Sequence, residues 1–461
     1  MKGVKNPVCI VLCLCSALLA CNRENPKTPI AVARQEKDPV ELLRTLETAK
    51  GFHRALALEQ LWLTKEAIHS WNEVARTDPD RSAEARQHLE RLQRLPDPVR
   101  QWNADEVRKA VQSRNAEALA RIARAFPTEA AREFLRFALN DRESARFYAK
   151  VLASTGEHFP EAVMDAMDHP RDRAALEQGL AAWKVRDFKR AATLFEKAGN
   201  PLHLLMLSYV SIHGSLSDLD QTIPYLRPEY RELSSSIHTF RATLLEYEDR
   251  YLEAHAEYEQ VLAIANGEPT ATVAALSRRS ANFAVIGANK EAFRDAYRAM
   301  SLLDRVADTN ARNHAYGGAA IAARQLGHPR TALHYQNAAV EAVQRSGDKK
   351  ELAVALRARA EIHLALGQQA EATDDLEQAA DLAEATDDAS SRDLLRMRIY
   401  DVRGQALLKS RPAEAAASFS DAIATALATK QDSTYRAVLH FQRAAARRNA
   451  GDPGAKDDIA A

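Results

Sequence analysis

The sequence predicts an all-α chain, an α-solenoid in which antiparallel helix pairs stack into a right-handed superhelix. Three observations predict it. Aromatic residues make up only 6% of the 461 residues, apolar residues make up 46%, and alanine is abundant. That composition suits helices packed closely through small side chains better than a β-sandwich. Apolar positions recur three and four residues apart over most of the chain, the period of one helix face. Small residues also return in register from pair to pair, where helices must touch.

The unit is clearest in Leu352–Ala379, LAVALRARAEIHLALGQQAEATDDLEQA. Ala360 sits at the crossing of two helices, Gly367 opens the turn, and Ala372, Leu376 and Ala379 follow one another along the second helix. This is the spacing of a tetratricopeptide repeat. Lys+Arg equals Asp+Glu at 63 each, so there is no electrostatic reason to expect a nucleic-acid partner.

In chain order, Met1–Ala20 is a signal segment. Lys2 and Lys5 precede an apolar core, Val8–Ala20, that is too short to span a bilayer comfortably. It ends Leu18-Leu19-Ala20-Cys21, which resembles the lipobox of bacterial lipoproteins, whose cysteine carries the lipid. The resemblance implies lipidation at Cys21 and a place in the bacterial cell envelope. Asn22 in the next position resembles the pattern sent on to the outer membrane, facing the periplasm. The four cysteines are Cys9, Cys13, Cys15 and Cys21, so the body of the chain has none for a disulfide, a metal site or a catalytic thiol. Residues 21–38 are polar with two prolines and read as a flexible tether.

Residues 39–95 form a first repeat-like block. Ala55 stands twelve residues before Ala67, with Trp71 four after it and Val74 seven after it. Asp78-Pro79 closes the unit, and Asp80 or Ser82 is the expected cap of the helix through Leu92. Residues 96–170 are an irregular helical spacer with breaks at Phe126-Pro127 and His169-Pro170. Residues 171–461 are the main array. Its key alanines are Ala191, Ala254, Ala292, Ala332, Ala372 and Ala415. Gly179, Ala242, Ser280, Ala320 and Ala360 stand twelve residues before the first five, and Ala198, Val261, Ala299, Ala339, Ala379 and Ala422 seven after the six. Small residues are needed there because interaxial distance follows side-chain size. Phe195, Tyr258, Ala296, Leu376 and Phe419 fill the position four after; Gln336 departs from that pattern, with Tyr335 beside it. Arg403 occupies a small-residue position next to Gly404, which a shorter turn at Ser410-Arg411-Pro412 would explain. The last alanine spacings are 40, 40 and 43 residues, longer than the usual repeat of about 34. A degenerate pair is expected around Leu204–Leu226. About seven or eight units are expected in all, with Leu352–Ala379 far from the lipid. The final unit begins near Ala444 and is incomplete at Ala461, so a following segment is expected.

The run FHRALALEQLWLTKEAIHSWNEVARTDPDRSAEARQHLERL resembles the N-terminal region of bacterial CHAT-domain proteins, in which helical repeats precede a caspase-like domain. AFPTEAAREFL and the long repeats fit that layout. No cysteine follows Cys21 and no β-rich segment follows the repeats, so protease activity does not carry over. The resemblance implies a recognition or scaffolding part, or the sensor half of a protease encoded elsewhere.

Nucleotide, zinc, calcium and hydrolase signatures are absent from the sequence, and no cofactor, metal or catalytic residue is expected. His314, His328 and His334 read as surface histidines, and Asp374-Asp375 and Asp387-Asp388 as solvated acidic pairs. The candidate functional surface is the concave groove lined by first helices: Ala274, Ser277 and Ala281; His314, Gly317, Ile321 and Arg324; Val354, Arg357, Glu361 and Leu364; and Met397, Tyr400 and Leu407. Within it His314, Arg324, Arg357, Glu361 and Tyr400 are the expected peptide contacts. The expected function is a membrane-anchored, non-catalytic scaffold that binds a protein or peptide.

Overall fold

The computed structural model describes residues 38–211, 216–386, 389–429 and 433–460. The signal segment, the candidate lipidation residue Cys21, the tether up to residue 37 and the Asp387-Asp388 pair lie outside the described residues. Every element among the described residues is helical, and the described chain is an α-solenoid of antiparallel helix pairs.

The first block holds α1 (Pro39–Thr48), α2 (Gly51–Gln60), α3 (Thr64–Thr77) and α4 (Ser82–Gln93). Next come α5 (Pro98–Gln101), α6 (Ala104–Gln112), α7 (Ala116–Ala125), α8 (Pro127–Asn140), α9 (Arg142–Ser154) and α10 (Phe159–Asp168). The pair α11 (Arg173–Lys184) and α12 (Phe188–Lys197) is followed by α13 (Leu202–Ser211) and the short α14 (Leu216–Asp220), which fill the long gap between Ala191 and Ala254. Regular pairs then run α15 (Arg231–Tyr247) with α16 (Tyr251–Ala265), α17 (Pro269–Val285) with α18 (Asn289–Met300), and α19 (Thr309–Gln325) with α20 (Pro329–Ser346). They continue with α21 (Lys349–Ala365) and α22 (Gln369–Glu384), α23 (Ala389–Leu407) and α24 (Pro412–Ala428), then α25 (Ser433–Ala450) and α26 (Ala455–Ala460). Prolines open α1, α8, α17, α20 and α24, where a missing N–H costs nothing and φ is already helical.

The turn inside a pair has one recurring form. At Gly367 (φ +74°) the chain enters the left-handed region, and the next residue, Gln368, donates its N–H to the His363 carbonyl at 2.9 Å. This closes the first helix as a Schellman turn. The same turn is built on Trp62, Arg114, Arg186 and Asp249 in other pairs, all at positive φ.

The crossings are as small as the spacing demands. Ala242, Ala254, Ala292, Ala320, Ala332, Ala360, Ala372 and Ala415 are fully buried. Gly404, not Arg403, takes the last crossing: a Cβ there would come within 2.6 Å of the Phe419 ring, and Arg403 points to solvent. The shorter turn before Pro412 is what shifts the register by one residue. At Gly179 a Cβ would likewise come within 2.9 Å of Phe195.

Three expectations need correction. Neither Asp80 nor Ser82 caps α4; the Asp78 carboxylate accepts the Arg81 N–H at 3.2 Å, and the Ser82 hydroxyl donates to the Ala75 carbonyl at 2.9 Å. The acidic pair is not solvated throughout: Asp375 is 3% exposed and held by both arms of Arg359, at 2.6 and 2.8 Å. The helix pair face turns one carboxylate inward, where a long arginine from the partner helix meets it.

The third correction concerns His328 and His334, because the first block packs back onto the array. Residues of α1–α4 share one apolar core with Val273–Ile362. Tyr335 is fully buried and its hydroxyl donates to the Leu61 carbonyl at 2.8 Å. Asp38, the first described residue, pairs with Arg294 at 2.6 Å. His328 meets Glu47 at 2.7 Å, His334 meets Glu66 at 2.9 Å, and Arg345 meets Asp97 at 3.3 Å. His328 and His334 are therefore parts of an intramolecular interface, not free surface histidines. Local periodicity carries no information on such contacts, which join residues more than 240 positions apart.

Candidate peptide groove

Successive first helices lie side by side, α17 against α19 and α19 against α21. Small residues allow the approach: a Cβ on Gly318 would stand 3.2 Å from the Ser280 hydroxyl. A hollow of about 180 Å³ opens on the shared face. Ser277 and Ala281 come from α17, His314, Gly317 and Ile321 from α19, and Val354 and Arg357 from α21. Their spacing of three and four residues puts them on one face of each helix. These seven were all read as groove residues from the sequence.

The charges around the hollow are mostly spent on one another. The His314 ring stands 3.7 Å from Glu351, and Asn313 donates to the same carboxylate at 3.4 Å. The His314 contact holds the Glu351 carboxyl below its ordinary range. Glu361 accepts from Arg357 and pairs with Arg324 at 3.1 Å. Arg324 and Glu361 thus form a clamp beside the hollow and do not line it. Tyr400 is not brought to the hollow either. It packs beside fully buried Met397 on the Phe419 core, where Leu407 is also buried, so three residues expected in the groove belong to a core.

The lining residues that went unread include the polar Arg278, Asn313, Gln336 and Glu351. Gln336 had a signal, since it breaks the pattern of large apolar residues. It is 2% exposed, its Nε2 donates to the Ala355 carbonyl at 2.8 Å, and its Oε1 has no partner.

A buried ion pair recurs inside the helix pairs and is a second feature that patterning missed. Arg279 holds Asp295 with both arms at 2.6 and 2.9 Å, Arg359 holds Asp375 in the same way, and Arg241 meets Glu257. Each acid stands sixteen residues after its arginine. In the pair α19–α20 the equivalent residues are Ala319 and Tyr335, and Tyr335 instead reaches the first block.

A third polar assembly joins α8 to the array. Arg132 pairs with Glu232 at 2.7 Å and Asp308 at 2.8 Å, and Thr270 donates to Glu129 at 3.0 Å. Burial pushes the Glu129 carboxyl up to about 7, with Glu268 and Asp308 adding repulsion. Glu157 is also pushed up to about 7 by burial, although it accepts N–H groups opening α10 and α15, from Phe159 at 3.1 Å and Glu232 at 2.9 Å.

No protein-family model and no curated protein sequence matches this chain. Among solved structures it is similar to a tetratricopeptide repeat protein from Parabacteroides merdae, at 17% identity and TM-score 0.42 over 59% of this chain and 98% of that one. It is also similar to a Rap protein complexed with competence and sporulation factor, at 14% identity and TM-score 0.45 over 62% of this chain and 84% of that one. A third is a signal transduction ATPase with a tetratricopeptide repeat sensor from Pyrococcus horikoshii, at 11% identity and TM-score 0.44 over 95% of this chain and 64% of that one.

Proposed function

We propose that this chain is a non-catalytic interaction scaffold that holds a segment of a protein partner in the hollow between α17, α19 and α21. The observation that carries the reading is the hollow itself: three first helices converge there, and the buried Gln336 leaves an acceptor unused. A photo-crosslinking residue at position 281, on the wall of the hollow, should trap a partner in intact cells. The same residue at exposed position 377, on a second helix, should not. Identical adducts from both positions, or none from 281, would overturn the reading.

The lipobox-like sequence ending at Cys21 supports anchoring by an N-terminal lipid in the bacterial envelope, on the outer membrane facing the periplasm. Radioactive palmitate should label the wild type and not Cys21→Ala; equal labelling removes the anchor. The resemblance of residues 52–92 to CHAT-domain proteins supports a second reading as the sensor half of a caspase-like protease. That reading needs a His/Cys protease frame in the downstream DNA.

A further inference from the structure

We infer that the hollow takes an extended acidic peptide, which places a carboxylate on the Arg278 guanidinium. The inference rests on the reading of the hollow as an interaction surface and adds the chemistry of the partner.

An unmet electrostatic demand points to it. Of the three arginines on this face, Arg324 and Arg357 are both engaged by Glu361. Arg278 lines the hollow and, among the described residues, makes no ion pair and no hydrogen bond; it acts on Glu246 and Glu351 only through space. The acids nearby are already matched, Glu351 by His314 and Asn313 and Glu361 by the two arginines. The charge left to offer is positive, so the complementary partner is an anion, and the planar guanidinium suits a carboxylate.

Size and shape select the peptide form. A volume of about 180 Å³ equals the liquid share of roughly six waters, far too little for a helix of about 10 Å diameter. Nothing lies within 4 Å of where a Cβ on Gly317 would stand, so backbone-sized atoms can reach the floor there. Ile321 and Val354 supply apolar walls. A carboxylate can come from an Asp or Glu side chain or from a chain terminus, and the two are separable.

The test uses detergent-solubilised full-length protein and fluorescein-labelled seven-residue peptides in an Ala/Val background, read by anisotropy. One set has an amidated C-terminus and a central Asp, Asn or Lys; another has no acidic side chain and a free C-terminus. Expected is at least tenfold tighter binding of the Asp peptide, or of the free-terminus peptide, than of the Asn amide, with Lys weakest. Arg278→Gln should erase that preference without changing the melting temperature, since Arg278 has no partner to lose. Gly317→Leu should weaken every peptide alike. Equal binding of Asp, Asn and Lys peptides, no binding of any, or a preference that survives Arg278→Gln would overturn the inference. Position 281 would still trap its partner in the first of these outcomes, and the scaffold reading would then stand without it.

Discussion

Two glycines on first helices separate the meanings a glycine has here. At Gly404 a Cβ would collide with the Phe419 ring, so Gly404→Ala should destabilise by about 1–3 kcal/mol through overpacking. At Gly317 the same change meets open space and should stabilise the helix by about 1 kcal/mol. Thermal melts of the two variants should move in opposite directions. Charged residues divide in a similar way. Arg279 and Asp295 are each under 10% exposed, so Asp295→Ala leaves a buried cation poorly matched and should cost about 3 kcal/mol. The double change Arg279→Met with Asp295→Ala removes both charges and should cost well under the sum of the two singles Arg279→Met and Asp295→Ala, which a double-mutant cycle in urea would measure. Glu129, like Glu157, makes stability depend on pH. Its folded carboxyl titrates at about 7 against 4.5 as the ordinary value, so the folded state binds the proton more tightly than the unfolded chain. Stability from this group is therefore present below pH 4.5 and is lost as pH rises to 7, by roughly 3 kcal/mol. Glu129→Gln should flatten that part of the stability profile.

At the scale of the element, the helix pair was almost wholly legible. Its period, its small crossing residues and the turn at Gly367 follow from sequence because each is a local requirement of two helices meeting at close range. The turn also carries a prediction. Arg186 holds φ at +61° in a position that other pairs give to glycine, and its side chain is exposed. A side chain in the left-handed region costs about 1–2 kcal/mol, so Arg186→Gly should stabilise the fold by about 1 kcal/mol, read as a higher urea midpoint at unchanged slope. The capping of α4 was misread because Asp78, Asp80 and Ser82 all have suitable side chains. Only the backbone path decides which oxygen faces which N–H.

For the whole molecule, the first block folded onto α18–α20 sets what the array can do. Tyr335→Phe removes the hydroxyl that reaches Leu61 and leaves a buried carbonyl unmatched, at a cost of about 1 kcal/mol. Hydrogen exchange should rise in residues 39–95 more than in α23–α24, whose core is separate. Uniform loosening, or none, would show that the block is not held through Tyr335.

Sequence alone determined the helix pairs, their crossings and the face on which Ser277, His314, Gly317, Val354 and Arg357 converge, because helical spacing and side-chain size act over a few residues. It misplaced Tyr400, Met397 and Leu407 because they pack in one core with Phe419, a choice made by tertiary packing. It read Asp375 as solvated because one carboxylate among several polar neighbours has no distinguishing local mark. Tertiary structure alone decided that the chain turns back on itself, and that the Arg278 guanidinium and the Gln336 Oε1 are left without partners. Both depend on which distant side chains have already satisfied one another, and no local pattern records that.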